Sequence, residues 1–321
     1  MSLNQFIYSL VKPLGGRTVA RYLARNHPRI LMYHRITPSG SKEGINADIF
    51  RKQMEIVKQS FNVMSLNDLM NAYDEGETRE NTVVITFDDG YHDFADYAFP
   101  ILREFDLPVT LFVTTGFALG ELWLWPDQIR YAIDNTDVRT TELPGISGNL
   151  DIAEQPDQCW NRIADHCMLV SNSQKLDLID SLYELLSIEK PVNAPDGYQP
   201  LSWEQIRGMV RQGLEVGSHS HSHPIMTQLG DDELNRELVQ SWEIIREQLG
   251  CDPAAFCYPN GQRADFDSKV QSAVRHAGYN YAVAAFPLKQ PLSDRWAIAR
   301  YPASSRMSEF EKNIYGFTFL G

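Results

Sequence analysis

The sequence predicts an α/β protein, a distorted parallel (β/α) barrel of about seven strands with a helical insert. Short apolar runs alternate with amphipathic helical segments along the 321 residues, and strand–helix–strand order produces a parallel sheet. Two of the apolar runs end in a cluster of carboxylates or histidines, which is where a parallel barrel collects its functional side chains. The length suits one barrel-sized domain or two smaller ones.

Composition excludes several classes of protein. The formal net charge is −13 and the pI about 5.1, which argues against nucleic acid as a partner because phosphate binding needs a basic surface. The four cysteines form no C-x-x-C pair, so they predict neither a disulfide framework nor a cysteine zinc site. No run reaches the ~18 apolar residues of a membrane span, and the N-terminus has no basic start or long apolar stretch typical of a signal peptide. We therefore expect a cytoplasmic protein, whose oligomeric state the sequence leaves open.

Residues 1–28 form a separate N-terminal helical segment in this interpretation. Its apolar residues fall on one helical stripe: Phe6, Ile7, Leu10, Val11 and Leu14. Arg17, Arg21 and Arg25 follow at a spacing of four. Such a segment packs on its own domain or lies on a membrane surface. We favour packing, and keep as the alternative a peripheral contact of residues 1–27 with the inner face of the membrane.

Residues 29–321 form the predicted barrel domain, and its first half reaches the insert. The expected elements are a strand at 29–34, helices at 46–60 and from Leu66, a strand at 82–87, a helix at 91–105 and a strand at 107–115. The insert, a lid or subdomain, spans about 117–200. It contains a helix from Leu122, a polar hairpin at 144–148 and helices at 157–168 and 173–186.

The second half of the barrel begins with a capping box at Ser202 and Gln205, which predicts a helix at 203–211. The expected elements after it are strands at 214–218, 255–261, 281–285 and 296–301, with helices at 231–249 and 266–277.

The first cluster follows the strand Val83–Phe87 and consists of Asp88, Asp89 and Gly90. Two carboxylates side by side repel each other, and a bound cation removes that cost. Taken alone, Asp-Gly is also a common turn dipeptide. The pair therefore predicts a cation site only together with a second group of ligands.

The second cluster supplies those ligands. His219, His221 and His223 follow another short strand. His219 and His223 are four residues apart, which places them on one face of a helical turn, as a two-histidine metal site requires.

Together the two clusters resemble motifs of the polysaccharide deacetylases, the NodB-homology or carbohydrate esterase 4 family. The first family motif, T-F-D-D-G, matches Thr86–Gly90, and the second, H-S/T-x-x-H-P, matches His219–Pro224. Both matches are complete. The resemblance extends from about Arg29 to about Tyr301 and is interrupted by the insert.

This resemblance implies a role for each residue. Asp89, His219 and His223 are expected to hold one divalent metal ion, Zn²⁺ by preference, with Co²⁺ or Ni²⁺ as alternatives. Asp88 is expected to act as general base toward the attacking water. The backbone N–H of Asn260 is expected to stabilise the oxyanion that forms on an acetamide carbonyl.

The chain departs from the family pattern in two places. In the third motif, often F-R-P-P-Y-G, Cys257 replaces the arginine that pairs with the base and Asn260 replaces the tyrosine. We expect Arg300 to supply the missing charge, with a surface position for it as the alternative. The C-terminal L-x-L-H motif, whose histidine is the general acid, is absent. We expect His34 to replace it, and His221 is the second candidate.

The function expected from the resemblance is removal of N-acetyl groups from an amino sugar in a glycan or lipid-linked saccharide, as in surface polysaccharide biosynthesis. Two alternatives remain at this point. One is an amidohydrolase acting on a cyclic ureide or imide. The other is a non-catalytic sugar-binding homologue, which the absent L-x-L-H motif suggests.

Overall fold

A computed structural model describes residues 16–41, 44–77 and 79–319. The predicted apolar stripe from Phe6 to Leu14 lies outside these residues. The strands are β1 Arg29–Tyr33, β2 Ile36–Thr37, β3 Ile45–Asn46, β4 Asn62–Val63, β5 Thr82–Phe87, β6 Thr110–Val113, β7 Thr140–Thr141, β8 Leu150–Asp151, β9 Glu215–Ser218, β10 Ala255–Cys257, β11 Tyr281–Val283 and β12 Tyr301–Pro302.

Helices cover most of the remaining chain. They are α1 Gly16–Leu23, α2 Ala47–Ser60, α3 Leu66–Asp74, α4 Phe99–Glu104, α5 Thr115–Ala118, α6 Trp125–Asp134, α7 Pro156–Cys167, α8 Asn172–Leu185, α9 Trp203–Val210, α10 Asp231–Leu249, α11 Ser268–His276 and α12 Met307–Ile314. A π-helix at Phe94–Ala98 precedes α4, and short 3₁₀ turns occupy Met226–Gln228 and Phe317–Phe319. No helix among the described residues is long and apolar enough to cross a membrane.

The main sheet is a curled parallel sheet in the order β11-β10-β9-β6-β5-β1-β12, with β4 paired to the start of β5. Every residue of the central strand β5 is buried. This explains its almost continuous apolar run, because a parallel strand covered on both faces has no solvent side. Ile298 forms a parallel bridge with Val283 of β11, and Tyr301 of β12 pairs with Leu31 of β1. The segment between β11 and β12 therefore connects the two sides of the curled sheet. The predicted distorted barrel of about seven strands is confirmed.

The elements differ from the prediction mainly near the C-terminus. The strand expected at 296–301 is reduced to a single bridge at Ile298 and the two residues of β12. The helix α12, which packs on α2, was not predicted. The segment expected as one helix at 91–105 begins as the π-helix at Phe94–Ala98 before it becomes α4.

The N-terminal helix α1 packs on the barrel domain through buried Ala20. Arg17 forms an ion pair with Glu311, and Arg21 donates to the backbone oxygen of Ser60 at 2.7 Å. These two arginines therefore contact the protein itself. The opposite side of the helix exposes Val19, Tyr22 and Leu23.

The insert contains helices and a hairpin that share an apolar core. Helix α6 packs against both α7 and α8, and β7 pairs antiparallel with β8 where the polar hairpin was predicted. Trp123 and Trp125 are buried, 3% and 5% exposed, so neither offers an open ring to a sugar.

Candidate functional site

Chain segments that follow the carboxyl ends of neighbouring strands build the site. Asp88 and Asp89 follow β5, and His219 follows β9, which pairs with β10. Asp89 has φ +75° and Gly90 φ +94°. This left-handed turn ends the strand abruptly and lets both adjacent carboxylates face the same cleft, which the strand pleat alone would prevent.

Asp89, His219 and His223 lie together. The Oδ1 atom of Asp89 is 3.3 Å from Nε2 of His219 and 3.5 Å from Nε2 of His223. One ligand atom from each residue falls within 4.8 Å of the others, and all three side chains are buried. The predicted ligand residues are therefore adjacent in the structure.

The predicted reason for the histidine spacing is wrong. His219 and His223 lie in a loop rather than on a helical turn. Ser220 and His223 both have left-handed backbones, with φ of +64° and +58°, and the Ser220 hydroxyl accepts a hydrogen bond from the His223 N–H at 3.0 Å. Glu237 of α10 accepts the backbone N–H groups of His221 and Ser222, each at 2.9 Å.

The cluster fits a divalent cation on two observations. Oδ1 of Asp89 is buried without a hydrogen-bond partner, a costly state that a cation would relieve. Nδ1 of His219 lies 2.9 Å from the Cys257 carbonyl oxygen. That contact fixes the ring with its Nε2 toward Asp89, as the outer hydrogen bonds of metal-binding histidines do. One carboxylate and two imidazoles are donors that suit Zn²⁺.

Asp88 is held by Arg300 in a buried, bidentate ion pair. Nη1 and Nη2 of Arg300 each donate to one carboxylate oxygen at 2.7 Å, and the two residues are 2% and 0% exposed. Burial alone would raise the pKa of Asp88, but the charge and hydrogen bonds of Arg300 lower it below the ordinary value. Asp88 is therefore an ionised acceptor, and Arg300 is not a surface residue.

Cys257 makes room for this arginine. Its Sγ atom is 3.0 Å from Nη2 of Arg300 and 3.6 Å from Oδ2 of Asp88. The guanidinium thus reaches the carboxylate from the segment before β12, close to where a longer side chain on β10 would lie. The small side chain at 257 and the arginine at 300 together replace the arginine of the third family motif.

The other predicted catalytic residues line the same cavity. Nε2 of His34 is 3.9 Å from Oδ2 of Asp88, and its side chain is 49% exposed. Asn260 has φ +56°, and its buried Nδ2 has no hydrogen-bond partner. His221, the second candidate for the acid, contacts Thr115 and Gln240 through its ring nitrogens and does not line the cavity.

A cavity of about 280 Å³ opens above these groups, and some of its lining was not expected from the sequence. Tyr91 lines it and donates to Oδ2 of Asp127 at 2.7 Å. Burial is the main cause that raises the pKa of Asp127 to about 7. Leu124, Pro126 and Trp160 of the insert form another wall. No motif marks Trp160 in the sequence.

A curled parallel sheet with this carboxylate–histidine cluster at its carboxyl edge defines a distorted (β/α) barrel with a candidate metal site. The model of the family described as polysaccharide deacetylase matches residues 75–139 and 171–282, just over half of the chain. The protein therefore belongs to the polysaccharide deacetylase family. A comparison with curated proteins finds no match.

Solved structures share the fold at low identity. A Streptococcus pyogenes deacetylase, PplD, in complex with acetate has a TM-score of 0.60 and 18% identity over 90% of this chain and 97% of its own. IcaB from Ammonifex degensii has a TM-score of 0.60 and 17% identity over 91% and 97%. A de-N-acetylase from Aggregatibacter actinomycetemcomitans has a TM-score of 0.54 and 15% identity over 88% and 99%.

Proposed function

We propose that this protein is a metal-dependent N-deacetylase that releases acetate from an N-acetylated amino sugar in a glycan or lipid-linked saccharide. The observation that carries the proposal is the adjacency of two carboxylates with different environments. Asp88 is paired with Arg300, whereas Asp89 faces two histidines with an unpartnered oxygen. Family membership supports the same reaction, and similar structures include two described as deacetylases.

Asp89, His219 and His223 would hold the metal. When bound, a divalent metal ion at such a site polarises the substrate carbonyl and acidifies water. The donor set favours Zn²⁺, with Co²⁺ and Ni²⁺ as alternatives.

Asp88 accepts the proton of the attacking water. Arg300 donates one hydrogen bond to each carboxylate oxygen of Asp88 and thereby orients the carboxylate. Each oxygen keeps a second lone pair that can accept the proton. The new C–O bond forms as the proton moves to Asp88. Buried Nδ2 of Asn260 is a further donor for the developing oxyanion, beside the backbone N–H expected from the sequence.

His34 donates a proton to the leaving nitrogen. Its ring lies 3.9 Å from Asp88 and is partly open to solvent, so it reaches the same substrate from the mouth of the cavity. The C–N bond breaks as the amine takes this proton, which gives acetate and a free amino group. Histidine is the side chain that most often serves as general acid.

Acetate release tests the proposal. N-acetylated oligosaccharides and nucleotide sugars are incubated with metal-loaded protein, with chelator, and with Asp88→Asn. We expect metal-dependent release that Asp88→Asn lowers by about 10²- to 10⁴-fold. Asp267→Asn, a change at the N-cap of α11, serves as a control and should retain activity.

Two other results would replace the proposal. Hydrolysis of a cyclic ureide or imide without acetate release would assign the site to amidohydrolysis. Binding of metal and oligosaccharide without turnover of any substrate would assign it to a sugar-binding protein.

A further inference from the structure

The insert contributes an apolar wall to the cavity. Leu124, Pro126 and Trp160 present hydrocarbon and aromatic surface. His34 and Asn260 contribute polar groups to the same cavity. A ligand that fits such a cavity has one apolar face and a polar edge.

The ring of Trp160 is fixed and offers no hydrogen bond to a ligand. Its Nε1 donates to the backbone oxygen of Pro126 at 3.0 Å, so the indole donor is already used. The side chain is only partly buried and packs on the apolar core of the insert. Trp160 therefore contributes apolar ring surface to the cavity, with its N–H already bonded within the protein.

The insert is hydrogen-bonded to the loop that carries His219 and His223, and this contact helps to set the position of the wall. Nε1 of Trp125 donates to the backbone oxygen of His223 at 3.2 Å. Trp125 begins α6, and α7, which carries Trp160, packs on α6. The tryptophan ring is thus connected to the histidine cluster through two packed helices.

The segment that carries Trp160 lies outside the two parts of the family match. The family match covers residues 75–139 and 171–282, so the hairpin strands β7 and β8 and helix α7 all fall between its two parts. The matched part of the family pattern therefore includes Leu124 and Pro126 but not Trp160.

We propose that Trp160, with Leu124 and Pro126, binds the apolar face of the pyranose ring whose acetamide enters the site. A hexopyranose has a C–H face and a rim of hydroxyl groups, and aromatic side chains combine a large apolar surface with low flexibility. The cavity of 280 Å³ lies just below the range of about 300–1,000 Å³ common for ligand pockets. It holds about one sugar ring. Trp160 is then a specificity-determining residue that selects sugars over small acetylated compounds.

This inference rests on the proposed function, and kinetics with two substrates test it. N-acetylchitotetraose carries the sugar ring, whereas 4-methylumbelliferyl acetate has the acetyl group without a sugar. We expect Trp160→Ala to raise KM and lower kcat/KM for the oligosaccharide about tenfold. Hydrolysis of the ester should stay within about twofold of the parent. Trp160→Phe keeps an aromatic face and should recover most of the loss.

Trp242→Ala is the matched control. Trp242 is also partly buried but lies on α10 and does not line the cavity. Equal losses of both activities in Trp160→Ala would show a structural role and overturn the inference. Unchanged kinetics on both substrates would also overturn it.

Binding separates this inference from the proposed function. Isothermal titration of N-acetylchitotetraose into Asp88→Asn protein, with and without Trp160→Ala, reports affinity without turnover. We expect the tryptophan change to weaken binding about tenfold. If the parent protein releases no acetate but Trp160→Ala still weakens binding, the deacetylase proposal fails. The role of Trp160 in binding the sugar ring is then supported on its own. If affinity is unchanged, the proposed role of Trp160 in binding the sugar ring is wrong, whether or not the protein releases acetate.

Discussion

Arg300 and Asp88 form a bidentate ion pair that is buried beneath the cavity, with both N–O distances at 2.7 Å. The guanidinium is also anchored by the backbone oxygen of Ala284 and the hydroxyl of Thr86, each at 3.0 Å. The pair therefore links Asp88, after the central strand β5, to the segments that follow β11 and precede β12. It places an arginine beside Asp88 although the third motif has a cysteine at the corresponding position.

The first prediction concerns the stability of this pair. Arg300→Met leaves the Asp88 charge buried without its partner, which typically costs about 3–5 kcal/mol in the free energy of unfolding. Asp88→Asn leaves the arginine charge buried in the same way. The double variant removes both charges, and we expect it to be more stable than Arg300→Met alone.

Chemical denaturation measures these differences. Arg29→Met provides a control. Arg29 is also 0% exposed, but it is the first residue of β1, whereas Asp88 contacts the last residue, Tyr33. A double variant no more stable than Arg300→Met would contradict a buried charge pair as the source of the cost.

The second prediction moves the arginine to its family position. In Cys257→Arg, two guanidinium groups compete for one carboxylate, because Sγ of Cys257 already lies 3.0 Å from Nη2 of Arg300. We expect this variant to lose most acetate release. Adding Arg300→Ala frees the space, and the double variant should exceed Arg300→Ala in kcat by about tenfold. If the double variant is no better than Arg300→Ala, the two positions are not equivalent.

The third prediction tests His34 as the acid. His34→Ala should lower kcat for an N-acetylated oligosaccharide by about 10²- to 10⁴-fold. An aryl acetate has a leaving group that needs little protonation, so its hydrolysis should fall much less. His221→Ala should leave both rates near those of the parent, since His221 lies outside the cavity. An equal loss on both substrates in His34→Ala would mean that the residue acts in some way other than by donating a proton.

The fourth prediction concerns metal and stability. A ligand that binds only the folded state at 100 times its Kd adds about 2.7 kcal/mol to the free energy of unfolding. We expect Zn²⁺ to raise the Tm of chelator-treated protein, and Asp89→Ala to abolish this increase. The same rise in Tm in Asp89→Ala as in the parent would place the metal elsewhere.

The fifth prediction follows from Asp127, whose pKa is raised to about 7, chiefly by burial. The unfolded carboxyl has its pKa near 3.9, so between these values the folded protein binds more protons and stability falls as pH rises. Tyr91, Arg35, Asp93 and Asp89 are the charged or titratable groups that act on it. Asp127→Asn should therefore reduce the loss of stability between about pH 4 and pH 7. Denaturation midpoints measured across this pH range check the prediction. The same pH dependence in Asp127→Asn as in the parent protein would contradict it.

Much of the fold was predictable because local signals agreed with the tertiary structure. The bounds expected for β5 and α10 match the structure, and the capping box at Ser202 and Gln205 begins α9 as expected. The last strand was misplaced because Trp296–Tyr301 has the apolar composition of a strand. That stretch nevertheless forms only one isolated bridge, at Ile298, before the two-residue strand β12.

The candidate site was predictable mainly where its residues are close in sequence. Asp88, Asp89, His219 and His223 were found from two compact motifs, although the histidines meet through left-handed loop residues that the spacing argument did not foresee. The only sequence signal for Arg300 was Cys257, which stands where the third family motif often has an arginine. Trp160 had none, because its position at the cavity depends on how α7 packs on α6.

A metal titration of acetate release decides whether the three ligands hold a catalytic ion. Acetate release from an N-acetylated oligosaccharide is followed while Zn²⁺ is added to chelator-treated protein, and bound metal is counted in the same samples. We expect no release without metal and a rise that saturates at about one ion per chain, set by the three ligands Asp89, His219 and His223. Full release in the presence of chelator, or a bound ion with no release of acetate, would contradict it.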